Sequence, residues 1–88
     1  MSRTSSPRQF FVHQPLLVDT ATAARLCGVS ERHWSRANDR AEIGPRPVHI
    51  GERVLWRVNE LADWVAAANG QGQLPGRIAW DRRKEADE

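Results

Sequence analysis

The apolar residues of this chain recur with a regular spacing only between residues 16 and 68, where patterns typical of short helices and strands alternate with turns. Residues 1–15 and 69–88 show no sustained apolar period. The pattern therefore predicts one small domain over residues 16–68, between a flexible N-terminal arm and a flexible C-terminal tail. The roles of four large apolar residues in these end segments stay open: Phe10, Phe11, Ile78 and Trp80.

Two short helices joined by a glycine turn are predicted at the start of the domain. Asp19 is suited to cap a first helix over residues 20–27, and Gly28 is suited to end it in a left-handed conformation. Ser30 is suited to cap a second helix over residues 31–40. Two such helices around a short turn are the signature of a helix-turn-helix.

The second helix is predicted to have one inward and one outward face. Placing Trp34 inwards brings Ala37, Asn38 and Ala41 to the same side. The opposite side then carries only polar residues: Arg32, Ser35, Arg36 and Asp39. We expect this polar face to contact solvent or a polar partner.

A β-hairpin and a third helix are predicted in the second half of the domain. Two β-branched runs around the Gly-Glu-Arg turn at residues 51–53 predict the hairpin. Its expected inward residues are Val48, Ile50, Val54 and Trp56, while the pattern gives no side for Leu55. Asn59 is expected to cap the third helix, which ends at residues 69–70 and has one apolar face: Leu61, Trp64, Val65 and Ala68.

The predicted fold class is therefore α+β, a small winged helix-turn-helix with two short helices, a β-hairpin wing and a C-terminal third helix. The net charge is only +2, but Lys84 is the single lysine among thirteen basic residues. Arginine is suited to bidentate contacts with phosphate and guanine, although a GC-rich genome produces the same excess.

Candidate chemistry other than binding is sparse in this sequence. Cys27 is the only cysteine, which excludes an internal disulfide and favours a reducing compartment. Cys27 and the three histidines lack the spacing of a zinc site, and no catalytic triad or phosphate-binding glycine loop is present. With no signal peptide or membrane span visible, we expect a cytoplasmic protein without enzymatic activity, metal or cofactor.

Three motifs in order carry a resemblance to a known family. They are Ala-Ala-Arg-Leu-Cys-Gly-Val-Ser at 23–30, Ile-Gly-Glu-Arg-Val-Leu-Trp-Arg at 50–57 and Glu-Leu-Ala-Asp-Trp-Val at 60–65. Over residues 17–67 the chain resembles the excisionase and AlpA-type branch of the MerR-like winged-helix DNA-binding proteins. It departs from them at Ser35, where a bulky or basic residue is common, and at Ala37, where a large aliphatic one is.

The resemblance implies a small factor that binds and bends double-stranded DNA and helps an integrase or other recombinase to excise a phage or integrative element. An AlpA-like transcriptional regulator uses the same surface and stays an alternative. Residues 30–57 contain six arginines and four acidic residues, so we expect several copies to associate cooperatively on DNA. A rival of another class is a protein–protein adaptor for an integrase or polymerase subunit.

The predicted DNA-binding residues lie on the second helix and around the hairpin. Arg32 and Arg36 are expected to reach base edges in the major groove, and Arg53 a minor-groove wall or a phosphate. Alternatively, the two helical arginines are solvated surface residues, one of them bonded to Asp39 or Glu42. The full predicted set is Ser30, Arg32, His33, Ser35, Arg36, Arg46, Arg53 and Arg57, with Arg46 and Arg57 assigned to phosphates.

Overall fold

The computed structural model describes residues 15–86 of the protein. Over this range the chain is an α+β fold of four helices and one three-stranded antiparallel sheet. The elements, in chain order, are β1 (Leu17–Asp19), α1 (Thr20–Leu26), α2 (Glu31–Asp39), β2 (Val48–Ile50), β3 (Arg53–Arg57), α3 (Val58–Ala66) and α4 (Arg77–Ala86).

The helix-turn-helix forms as the local sequence predicts. The Thr22 backbone N–H donates to the Asp19 carboxylate at 2.8 Å, and the His33 backbone N–H donates to the Ser30 hydroxyl at 3.1 Å. Gly28 between the helices has a φ of 80°, in the left-handed region that glycine adopts without strain. The two predicted caps and the glycine turn are confirmed.

The sheet contains a strand that the sequence pattern did not predict. The short apolar run before Asp19 forms β1, which pairs with β3 so that Val18 lies opposite Trp56. On its other side β3 pairs with β2, with Val48 opposite Leu55. β3 is therefore the central strand, and the predicted hairpin is part of a larger sheet.

The predicted inward set of the hairpin is largely wrong. Trp56 is buried against the helices, but Ile50 is 56% and Val54 38% exposed. Paired residues share a face of a sheet, so Val48 and Ile50 lie with Leu55 on the face opposite Trp56. Leu55 is buried there, outside the main core cluster.

Tryptophans form the centre of the core. The ring of Trp34 contacts those of Trp56 and Trp64 edge to face, with centroids 5.3 Å and 6.1 Å apart. Such pairs stabilise a core by about 0.5–1.5 kcal/mol beyond the burial of their area. The other core residues are Val18, Ala23, Ala24, Ala37, Ile43, Leu61 and Trp80.

Half of the predicted C-terminal tail, residues 69–88, is a helix: α4 has ten residues. Trp80, in α4, is only 4% exposed and belongs to the core, whereas Ile78 is 70% exposed. The folded domain therefore extends past the predicted boundary at residue 68. The predicted N-terminal arm, with Phe10 and Phe11, lies outside the described residues except for Pro15.

Two smaller predictions about the helices also need correction. Helix α3 begins after Arg57 without a side-chain cap, so Asn59 lies within the helix, and Val65 is exposed. Leu61 and Trp64 are buried as predicted. Ala41 does not share the face of Trp34, because the chain leaves α2 before it and Ala41 has a φ of 60°.

Candidate nucleic-acid interface

The outward face of α2 is a polar surface on a firmly anchored helix. Trp34 and Ala37 are buried, whereas the four residues predicted on the other side are all exposed: Arg32, Ser35, Arg36 and Asp39. Arg32 and Arg36 are four residues apart, which brings their Cβ atoms to about 6 Å from each other. Two guanidinium groups therefore project together from one turn of the helix.

Neither of these guanidinium groups is neutralised nearby. Within residues 15–86, Arg32 and Arg36 take part in no ion pair, so a pairing with Asp39 or Glu42 finds no support. Their N–H groups are available to donate to an anionic or carbonyl oxygen of a partner.

Ser30 has a structural task at the start of this face. Its hydroxyl accepts from the His33 backbone N–H and so fixes the first turn of α2. The His33 side chain is exposed and projects from that turn. By capping α2, Ser30 fixes the position of Arg32 and His33 in its first turn.

Arg53 lies at the start of β3, beside the hairpin turn, and is exposed. It shares its surroundings with Asp19, whose pKa lies below its usual 3.8 mainly because Thr22 donates to the carboxylate, with further attraction from Arg53 and Arg25. Arg25 is exposed at the end of α1 and donates to the Thr22 hydroxyl at 3.3 Å.

Arg25 is a candidate that sequence reasoning did not find. In the sequence it lies within the predicted first helix, twenty-eight positions before Arg53. The pairing of β1 with β3 brings the Asp19 end of α1 to the wing, so both arginines act on the same carboxylate. Only the unpredicted strand reveals this proximity.

Arg46 and Arg57 form a separate group. Arg46 pairs with Asp81 at 2.7 Å and Arg57 with Glu60 at 3.5 Å, and both arginines line one cleft of about 270 Å³ beside α4. Four residues of extended strand place Arg57 about 13 Å from Arg53, at the far end of β3. The structure therefore does not join these two arginines to the surface of α2.

Glu60 is the centre of this second group. Burial raises the pKa of its carboxyl. Hydrogen bonds from the Trp80 indole and Lys84, together with attraction from Lys84 and Arg57, have the larger, opposite effect, so the pKa lies below the usual 4.5. The Trp80 Nε1 and Lys84 Nζ atoms each lie 2.9 Å from Glu60 Oε2. Glu60 therefore fastens α4 to α3.

Other chemistry is limited in the part of the chain that the structure describes. Cys27 is half-buried, and burial raises the pKa of its thiol above the usual 9.0. From residue 15 to residue 86, His, Cys, Asp and Glu form no cluster that could hold a metal ion. No helix in this range has the length and apolar content needed to cross a membrane.

Comparison with known proteins adds no identification. The chain matches no model of a protein family, no curated protein sequence and no solved structure. The indication of function therefore comes from the geometry of the site. An exposed pair of arginines lies on an anchored helix, and the hairpin that follows carries a further exposed arginine beside its turn.

Proposed function

We propose that this protein binds double-stranded DNA, with α2 in the major groove and the hairpin of β2 and β3 against the neighbouring backbone or minor groove. The observation that carries the proposal is the exposed pair Arg32 and Arg36, which has no acidic partner within residues 15–86. It lies on the second helix of a helix-turn-helix, the helix that enters the major groove in proteins of this architecture.

In this proposal α2 is the recognition helix. A guanidinium can donate two parallel hydrogen bonds to O6 and N7 of guanine, which discriminates between bases by about 1–3 kcal/mol. Trp34 holds the opposite side of the helix in the core, so the arginines project from a rigid support. Arg53 and Arg25 supply contacts to phosphates, which fix the register without distinguishing sequences.

Arg46 and Arg57 have a smaller part in this proposal than the sequence predicts. Their pairing with Asp81 and Glu60 reduces the charge that they offer to a phosphate. The exposed pair of Arg46 with Asp81 is weak, about 0–1 kcal/mol, so a phosphate can compete for Arg46.

The biological role we propose is that of an excisionase-like recombination directionality factor, acting in the cytoplasm with an integrase. It rests on the resemblance of residues 17–67. The moderate charge of one copy favours binding by several copies on adjacent sites, which would bend the DNA. An AlpA-like transcriptional regulator is the alternative role for the same surface.

A gel-shift titration tests the proposal, with the full chain and the DNA that flanks its own gene at two salt concentrations. We expect discrete, salt-sensitive complexes from the unchanged protein. The double variant Arg32→Ala, Arg36→Ala should bind the specific site about 5- to 150-fold more weakly than the unchanged protein. The matched control is Arg82→Ala, Arg83→Ala, which removes two exposed arginines from α4 instead.

Two outcomes would contradict the proposal. A folded protein that binds no DNA at low salt would favour the adaptor, with exposed Ile78 as an apolar contact, whereas Trp80 is buried in the core. Equal loss of binding in the two double variants would show that the arginines of α2 act only through their charge.

A further inference from the structure

Helix α4 packs along the loop of residues 40–47, which joins the recognition helix α2 to the hairpin. It touches residues 40–47 at three successive points. The Arg77 backbone N–H donates to the Ala41 carbonyl at 2.9 Å, and Asp81 pairs with Arg46 at 2.7 Å. Between them, Trp80 packs so closely on Gly44 that a Cβ atom there would lie 2.8 Å from the Trp80 Cβ. The loop is thus held along its length.

The first of these contacts reaches the recognition helix itself. The Arg77 guanidinium donates to Asn38 Oδ1, in the last turn of α2. Just beyond this turn the chain bends sharply at Ala41, where φ is 60°. Gly76 comes so close to this bend that a Cβ atom would lie 3.2 Å from the Ala41 carbonyl oxygen. Arg77 therefore holds the end of α2 through both its backbone and its side chain.

The surroundings of Arg77 are unusual for a residue that only fills space. Its side chain is partly buried, its Nε atom has no hydrogen-bond partner within residues 15–86, and it forms no ion pair there. The last turn of a helix carries partial negative charge, which favours a cation at this place. The guanidinium is thus oriented towards α2, although its Nε–H group stays without an acceptor within residues 15–86.

We infer that Arg77 is a positioning residue for DNA binding: with α4 it fixes the direction of the recognition helix relative to the wing. This inference rests on the proposed function. Base contacts by Arg32 and Arg36 require a defined direction of α2, whereas attraction to phosphates tolerates misalignment. Loss of Arg77 therefore lowers affinity for the specific site more than affinity for other DNA.

The test compares Arg77→Ala with Arg82→Ala, which removes the same charge from an exposed position of the same helix. Dissociation constants are measured with the specific site and with unrelated DNA of equal length, at one salt concentration. We expect Arg77→Ala to lower the ratio of specific to non-specific affinity about tenfold. Arg82→Ala should leave this ratio unchanged, and Arg77→Lys should restore most of it.

Asn38→Ala removes the same hydrogen bond from the other side and gives a second variant if Arg77→Ala does not fold. It should lower the ratio similarly, and adding Arg77→Ala to it should have little further effect, because the two residues act through one contact. Independent effects of the two changes, or a preserved ratio in Arg77→Ala, would overturn the inference.

Hydrogen exchange of the DNA-free protein separates this inference from the proposed function. The amides of Ala41 and Glu42 donate to Asn38 and Ala37 across the end of α2. They should exchange faster in Arg77→Ala than in the Arg82→Ala control. If the unchanged protein binds no specific site, the proposed function fails while this exchange still reports the contact. Unchanged exchange in Arg77→Ala would overturn the positioning role alone.

Discussion

At the residue scale, the turn between α1 and α2 follows from chemistry that neighbouring residues provide. The Asp19 and Ser30 caps each use a donor only three residues away, and Gly28 alone supplies the left-handed turn. Such local arrangements need no knowledge of the rest of the molecule. The exposed position of Arg32 and Arg36 follows in the same way, once Trp34 is placed inwards.

Ser30 and Ser35 provide a matched pair on the same helix. Replacing Ser30 with Ala removes the acceptor for the His33 N–H, and we expect a loss of about 1 kcal/mol in the free energy of unfolding. Ser35→Ala, at an exposed position within α2, should change it by less than about 0.5 kcal/mol. Urea unfolding followed by circular dichroism measures both, and equal effects would argue against the cap.

Glu60 should make part of the stability depend on pH. Because its pKa is lowered in the folded protein, the ionised carboxyl stabilises the fold above the pKa of the unfolded chain. This contribution is lost as the pH falls through the lower, folded value. Glu60→Gln should therefore unfold at a lower temperature than the unchanged protein at neutral pH, and the difference should shrink below about pH 4.

The control for this measurement is Glu52→Gln in the exposed hairpin turn, which takes part in no ion pair within residues 15–86. If the difference in unfolding temperature between Glu60→Gln and the unchanged protein stays constant from neutral to acid pH, the stabilisation by Glu60 does not come from its charge.

At the element scale, what a sequence pattern predicts depends on where an element finds its partners. The hairpin was predicted because its two strands and its turn are neighbours in sequence. Its inward set was wrong because the turn has two residues instead of three: Ile50 pairs with Arg53, so Val48 and Ile50 lie on the face opposite Val54 and Trp56. Strand β1 has three residues and a distant partner in β3. Helix α4 has one buried residue, Trp80, so its apolar period is too weak to see.

A substitution at Gly44 tests how closely α4 packs on the rest of the domain. A Cβ atom at this position would lie 2.7 Å from Trp64 Nε1 and 2.8 Å from two atoms of Trp80. Gly44→Ala should displace α4 and lower the free energy of unfolding by about 1–3 kcal/mol. Gly70→Ala, where a Cβ atom meets nothing within 4 Å, is the control. Near-UV circular dichroism of the tryptophans should change only in Gly44→Ala.

At the scale of the whole molecule, the domain extends beyond the apolar pattern that predicted it. Trp80 completes the core, the Trp64 indole N–H donates to the Pro75 carbonyl at 2.8 Å, and Glu60 binds Lys84. These contacts join residues from different elements, which is why the apolar pattern of residues 69–88 alone predicted a tail there. The exposed positions of Arg32, Arg36 and Arg53 were predicted without these contacts, since the three residues lie on α2 and the hairpin.

Removing residues 69–88 distinguishes the two views of this segment. A flexible tail would be dispensable, whereas loss of Trp80 from the core should destabilise the protein by about 3 kcal/mol or more. The single change Trp80→Ala should reproduce most of this loss, and Ile78→Ala, at a residue that is 70% exposed, should not. Thermal unfolding measures all three. A shortened protein as stable as the full chain would contradict a core that includes α4.

The late position of Trp80 also has a consequence for synthesis of the protein. The ribosome releases the chain from its N-terminus, so α2 and the hairpin emerge well before α4, the helix that completes the core. Until Trp80 is released, Gly44 lacks one of the two tryptophans that pack on it. A nascent chain therefore already exposes Arg32 and Arg36 while α4 is still being made, and the complete core forms only after α4 has left the ribosome.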